Sequence, residues 1–410
     1  MKLYKNLEPT DENIKETYAK NLLGRREDVD KFAAFLKGEN CPVSVAVDGE
    51  WGSGKTFFVK QVTYKLDEDT ADDPEKCLTV YYDAWENDND CDPILSIVDC
   101  IARAAGVEEG SKLATVLSDA YHFVKALDSN PVVRGVTVAI DRVQTRYTEA
   151  IHNYDKDAPT NEQVREKLQE LYDEIIHEHG TRLVIFIDEL DRCRPDFAVR
   201  VLERIKHFIS VDEDNRVRMV FSINKKQLEH TIKKHYGEGY DSRNYLNRFF
   251  DLVIAIPEAG ILPYVTQYTV DLPFGLETRV VSAAIHYFGI QIREINAFVA
   301  ELISIQRTAK IEGMLSLPTP RVFMENIFPI LLAAKLTDND KYEKLVSGDG
   351  SGLIEDIWVN ELGCERNDHI YGTMVYLSIF QNEGVHPTDE ILEERERILR
   401  YLNKSFLYES

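Results

Sequence analysis

Residues 49–56, Gly49-Glu50-Trp51-Gly52-Ser53-Gly54-Lys55-Thr56, have the types and spacing to do chemistry. They fit G-x-x-x-x-G-K-[ST], the pattern of a loop that cradles a chain of phosphates. Its glycines let the backbone curl until several N–H groups point at one anion. A helix opening at the same spot adds the positive end of its dipole. In this pattern Lys55 reaches the outer phosphates and the Thr56 hydroxyl ligates Mg²⁺. The bland alternative is a glycine-rich turn that binds nothing. The apolar run before the loop and the helix-compatible Phe57-Phe58-Val59-Lys60-Gln61-Val62 after it supply the context a phosphate site requires.

A second constellation is Asp188-Glu189, at the end of the apolar run Leu183-Val184-Ile185-Phe186-Ile187. An aspartate delivered there can order Mg²⁺ through water, as in other phosphate-loop enzymes. A carboxylate one residue on, beside the terminal phosphate, can polarise a water for in-line attack. The alternative is a pair of acidic residues capping a strand end. Adjacent Asp and Glu favour hydrolysis over transfer to a small acceptor. A small-molecule kinase would need an arginine-rich acceptor pocket, and the sequence shows no such cluster.

Four further positions could complete the site. Asn224, at the end of a later strand, could hydrogen-bond the water or the γ-phosphate, or simply form a turn. Arg248, in Tyr245-Leu246-Asn247-Arg248-Phe249-Phe250, could reach a neighbouring subunit's γ-phosphate if the chain self-associates, or make a surface salt bridge. Arg293, in Ile292-Arg293-Glu294-Ile295-Asn296, could reach nucleotide in cis from a lid helix. Leu23-Gly24-Arg25 could wall the base, or serve as an ordinary helix entry.

Strands and helices must alternate to bring these groups together. Val43–Val47, Cys77–Tyr82, Leu183–Ile187, Val217–Ile223 and Leu252–Ile256 read as five strands. The third is apolar throughout, as in a sheet covered on both faces. Amphipathic helical patterns separate them, including one over 163–177 and one that opens at Pro195, a residue suited to a first helical turn. Such alternation defines a doubly wound parallel α/β sheet with ligands at the carboxyl ends of its strands. The expected organisation is an N-terminal arm and helix over 1–40 and a core over 41–258 with a helical insertion over about 93–165. A helical lid follows over 259–345, then a helical segment over 346–410. Gly348-Asp349-Gly350-Ser351-Gly352 reads as the clearest linker, and Thr388 as a helix N-cap.

Composition narrows the function. The 410 residues suggest two to three domains or subdomains, and 44% of them are hydrophobic, enough for a sizeable core. A formal net charge of −23 argues against broad non-specific binding of nucleic acid, which needs Lys and Arg on phosphates. Such a surface suits protein partners. The six cysteines are scattered without C-x-x-C spacing and read as reduced thiols of a cytoplasmic protein, with no zinc site. No apolar run approaches the roughly 20 residues of a membrane helix.

With these residues on the page, the chain resembles a KAP-family P-loop NTPase, of the additional-strand catalytic-glutamate class that also holds AAA+ and STAND proteins. The resemblance rests on the 49–56 loop with its internal tryptophan, Asp83-Ala84-Trp85, Val184 to Cys193 with Pro195, Leu202 to Phe208, Tyr245 to Phe250, and Ile292 to Ile295. It implies a five-stranded core in which the strand carrying Asp188 lies between the phosphate-loop strand's neighbour and the edge. It also implies Mg²⁺-dependent hydrolysis of ATP or GTP and action as a switch or assembly motor on a protein partner. Bacterial relatives are linked to anti-phage or mobile-element functions. Two features depart from the family: Asp83 stands where Asn is usual, and 93–165 is too polar for the membrane helices many members carry there. A competing reading is a nucleotide-loaded scaffold that turns over rarely and recruits a protein.

Overall fold

The computed structural model describes residues 8–69, 76–89, 93–107, 111–127, 161–180, 182–209, 216–269, 278–313, 318–363, 366–380 and 389–403. The chain divides into two compact units, Glu27–Pro257 and a second made of Met1–Arg26 with Glu258–Ser410.

The Glu27–Pro257 unit is built on one parallel sheet. Its strands are β1 (Ser44–Asp48), β2 (Cys77–Asp83), β3 (Arg182–Asp188), β4 (Val217–Ile223) and β5 (Leu252–Ala255). Their order is β2-β3-β4-β1-β5, and all four pairings are parallel. The strand carrying Asp188 thus lies between β4, the neighbour of the phosphate-loop strand, and the edge strand β2, as the family resemblance implies. Every residue of β4 is buried, and so is all of β3 but Arg182. Helices cover both faces of the inner strands, so apolar residues fill both sides of the pleat. At the edge, β5 has no fully buried residue and Val253 is exposed.

On one face Val80, Tyr82, Ile185, Ile187, Met219 and Phe221 pack with the helices Pro93–Ala104 and Pro195–Ile209. The helix Pro93–Ala104 lies where sequence reading begins an insertion. Its Ile94, Leu95, Ile97, Val98 and Ile101 are all buried in the sheet's core. It is a structural helix of the domain, because its apolar stripe has the sheet as its partner. The expected break at Asn130-Pro131 lies outside the described residues.

The second unit is helical. The helix Phe328–Thr337 is its core: Ile330, Leu331, Leu332, Ala333 and Ala334 are all fully buried. The expected arm over 1–40 is divided, with the first 26 residues in this unit and the remainder in the other. Within this unit the first 26 residues pack on the later segment: Gly24 takes φ +66°, and a Cβ there would lie 3.0 Å from the Gly260 Cα. Gly348–Gly350 is a packed turn leading directly into the helix Ser351–Asp356, and no linker. The Tyr376 hydroxyl donates to the Leu345 carbonyl at 2.7 Å and accepts from the Gly350 N–H at 3.0 Å. A side chain at Gly350 would lie 2.8 Å from the Leu345 Cα. Close approach of backbone, not flexibility, calls for that glycine. Thr388 lies outside the described residues. Among the described residues no helix is long and apolar enough to cross a membrane.

Candidate functional site: a phosphate loop facing an acidic strand end

The site forms where β1, β3 and β4 end side by side. β1 runs into the loop Gly49–Gly54, and the helix Lys55–Asp69 starts at once. Gly52 and Gly54 take φ +79° and +83°, which curls the loop as only glycine does without strain. A Cβ at Gly49 would come within 2.6 Å of the Ile256 side chain and 2.8 Å of the Ser53 hydroxyl. The loop therefore admits no side chain at that point. Glu50 is exposed, 3.8 Å from Lys226.

Lys55 is buried, and its ammonium donates to the carbonyls of Gly49 at 2.8 Å and Glu50 at 3.1 Å. Its pKa is lowered by burial, against the charges of Asp191, Asp188 and Glu189. Those carbonyl bonds hold the cation over the loop that its own backbone encloses.

β3 delivers the acids. Asp188 is almost fully buried and accepts the Tyr81 hydroxyl at 2.9 Å and the Glu189 N–H at 2.9 Å. Glu189 leaves the strand in the left-handed region at φ +61°. A non-glycine residue there costs roughly 1–2 kcal/mol, and such strain collects at functional sites. The bend aims its carboxylate at the loop, with Oε1 3.4 Å from the Thr56 hydroxyl. Oε2 pairs with the Arg192 guanidinium. Burial, then the Asp188 charge, pushes the Glu189 pKa up to about 7, against the pull of Arg192.

A 3₁₀ turn, Leu190–Arg192, follows, anchored in the core by the fully buried Leu190. From it Asp191 accepts the Trp51 indole N–H at 2.6 Å, and Arg192 lies 5.8 Å from the centre of the exposed Trp85 ring. Asp83, the departure from the family pattern, accepts the N–H groups of Trp85 and Glu86, each at 3.0 Å. Its carboxylate thus shapes the turn after β2.

The other predicted residues separate. Asn224 caps the helix Lys225–Tyr236, its side-chain oxygen accepting from Gln227 N–H at 3.1 Å. Its amide N–H groups and the oxygen's second lone pair remain to meet a ligand. Arg248 has an exposed side chain, and its carbonyl takes a hydrogen bond from Lys206 at 3.3 Å. Leu23, Arg25 and Arg293 belong to the helical unit. Leu23 and Arg25 are buried there beside Gly24. Arg293 is exposed on the first turn of the helix Ile292–Ile311, donating to the Gln291 side chain at 2.9 Å.

Three contributors have no role in the sequence reading: Tyr81, Asp191 and Arg192. Tyr81 could have been found from strand register. It sits opposite Phe186, so Asp188 is its diagonal neighbour two residues on. Asp191 and Arg192 stand inside the motif that carries the resemblance, but no sequence rule assigns them partners.

The donor set fits Mg²⁺ held jointly with a nucleotide. The Thr56 hydroxyl and the Asp188 carboxylate are hard oxygen donors beside a phosphate cradle. Among the described residues no group of three or more His, Cys, Asp or Glu could hold a metal alone. Mg²⁺ commonly binds through one or two carboxylates plus substrate phosphates.

A parallel sheet in the order β2-β3-β4-β1-β5, with a glycine loop after β1 and acids after β3, defines a P-loop NTPase domain. The model of the KAP family P-loop domain matches residues 27–260, and the chain belongs to that family. Among solved structures it is similar to the Aeropyrum pernix ORC2 protein in its ADPNP-ADP complexes, at 13% identity and a TM-score of 0.39, over 92% of this chain and 95% of that one. It is also similar to a Walker-type ATPase of Pyrococcus abyssi, at 12% identity and a TM-score of 0.39, over 98% and 100%. No curated protein matches it.

Proposed function

We propose that the chain is a Mg²⁺-dependent nucleoside triphosphatase, with ATP the favoured substrate over GTP, that works as a slow conformational switch controlling a protein partner. One observation carries the reading. Glu189, half-buried and strained, has one carboxylate oxygen 3.4 Å from the hydroxyl of the phosphate loop's Thr56, directly after the buried Asp188. A metal-ordering group and a base poised near neutral pH share one small space. The loop amides and Lys55 would bind the phosphates, Thr56 and Asp188 would hold the metal, and Glu189 would take the proton of the attacking water. A bound Mg²⁺ supplies charge neutralisation at the phosphates.

The nucleotide-loaded scaffold is the second reading, and one feature favours it. Both Glu189 oxygens are engaged, by Thr56 and by Arg192, so the base must be released before it can act. Slow turnover awaiting a partner fits that arrangement. The acidic surface, at −23, suits a protein partner over nucleic acid. A role in bacterial anti-phage defence, in the cytoplasm, is part of the same proposal and rests on the family association alone. Arg248, exposed, would serve as a finger in trans if subunits associate, and Arg293 as one in cis.

The deciding experiment is phosphate release with ATP and with GTP, in Mg²⁺ and in EDTA, for the wild type, Lys55→Ala and Glu189→Gln. Hydrolysis predicts Mg²⁺-dependent release that both variants lose, while Glu189→Gln still binds nucleotide. Tight binding without release in the wild type would select the scaffold. Absence of binding would overturn both.

A further inference from the structure

We infer that Asp191 is a positioning residue that holds the phosphate loop through Trp51 and couples the loop's state to Glu189; this rests on the nucleotide-site reading above.

Trp51 is an unusual residue for the inside of a phosphate loop. The residue is 39% exposed, so burial does not explain it. Its N–H explains it better: it reaches across to Asp191 at 2.6 Å, a residue 140 positions away. Asp191 is only 4% exposed, and its second oxygen, Oδ1, has no hydrogen-bond partner among the described residues. Burying a carboxylate with so few partners is costly. What offsets the cost faces it: the Trp51 N–H as a charge-assisted donor, and the field of the buried Lys55, on which Asp191 is the largest opposing charge.

The geometry makes Asp191 a joint. It lies in the short Leu190–Arg192 turn, whose fully buried Leu190 fixes it to the core. Glu189 opens that turn, and the Arg192 that closes it grips the Glu189 carboxylate. A loop that shifts when phosphates enter moves Trp51. Trp51 pulls on Asp191, and the turn transmits the displacement to the Arg192–Glu189 pair. Through this intact link nucleotide binding would release the base.

Two readouts test the device. The first needs no nucleotide. The chain has three tryptophans, so the indole N–H resonances of isotopically labelled protein are few. Trp51→Phe assigns the Trp51 signal. Asp191→Leu should shift that signal alone and speed its exchange with water at least tenfold. The second is binding of a fluorescent ATP analogue with Mg²⁺. Trp51→Phe and Asp191→Leu should each weaken binding about tenfold, and the double variant should be no weaker than either. Asp191→Asn, which keeps an acceptor for the indole, should stay within about threefold of wild type. Thermal melts confirm folding, and Trp51→Phe, at an exposed ring, is the variant that folds if any does.

Wild-type binding with Trp51→Phe unchanged, or losses that simply multiply in the double variant, would overturn the coupling and leave the nucleotide site standing. An indole signal indifferent to Asp191→Leu would overturn the bond itself. A wild type that binds no better than Lys55→Ala would overturn the nucleotide reading, and the coupling with it.

Discussion

Glu189 is the residue on which activity and stability pull in opposite directions. Its folded pKa stands near 7, above its ordinary value of 4.5, because burial and the Asp188 charge disfavour the ionised form. A base must be ionised to accept a proton, so the single-turnover rate should climb through pH 7 and run about tenfold slower at pH 6 than at pH 8. A rate flat across that range would remove Glu189 as the base. The stability effect has the opposite sign. Between the two pKa values the native state binds more protons than the unfolded chain, so stability falls as pH rises from about 4.5 and the full cost is present above 7. Glu189→Gln carries no such cost. It should unfold later than wild type at pH 8 by about 1–3 kcal/mol, the gap closing toward pH 4.5. Chemical denaturation at several pH values measures it. The convergence of Lys55, Thr56, Asp188 and Glu189 was legible in the spacing of their motifs. The engagement of Glu189 by Arg192 was not legible, because an ion pair over three residues depends on the left-handed bend that starts the turn.

At the scale of elements, the strand ends decide what the site can do. β2 supplies the Tyr81 hydroxyl to Asp188, and β3 supplies both acids. Tyr81→Phe leaves one oxygen of a buried carboxylate without its donor, at a cost of about 1–3 kcal/mol. It should lower the thermal midpoint and raise the Mg²⁺ concentration needed for half-maximal turnover, with little change in nucleotide affinity measured in EDTA. An unchanged metal requirement would reduce Tyr81 to a packing residue. The strands were legible to within a residue or so because apolar runs closed by Asp, Asn or Pro leave few alternatives. The stretch beyond β2 was less legible. An amphipathic helix reads the same whether its stripe meets the parent sheet, as Ile94–Ile101 do, or a partner in a peripheral insertion. The glycines at 348–352 misled for a related reason, since composition does not separate a flexible glycine from one required by a close backbone approach.

For the whole molecule, the open question is whether subunits complete one another. Arg248, exposed and far along the chain from the loop, is the test. Arg248→Ala keeps an intact phosphate site, and Lys55→Ala keeps the arginine. If the finger acts in trans, mixing these two inactive proteins should restore up to about a quarter of wild-type turnover. A mixture as inactive as its parts would confine Arg248 to the surface. With 71 acidic against 48 basic residues, any such association should strengthen as salt screens the mutual repulsion. The strand order has a further consequence, for how the protein is made. β1 pairs only with β4 and β5. The Ser44 N–H is held by the Asp251 carboxylate, 207 residues downstream, and the Asp48 carboxylate holds the Lys225 N–H, 177 residues downstream. Ribosomes add about 5–20 residues per second. The phosphate loop is therefore synthesised well before the strands that complete it, and takes shape only after them. For roughly ten seconds or more the nascent chain carries Val45, Ala46 and Val47 unpaired, and this stretch is a natural target for chaperones.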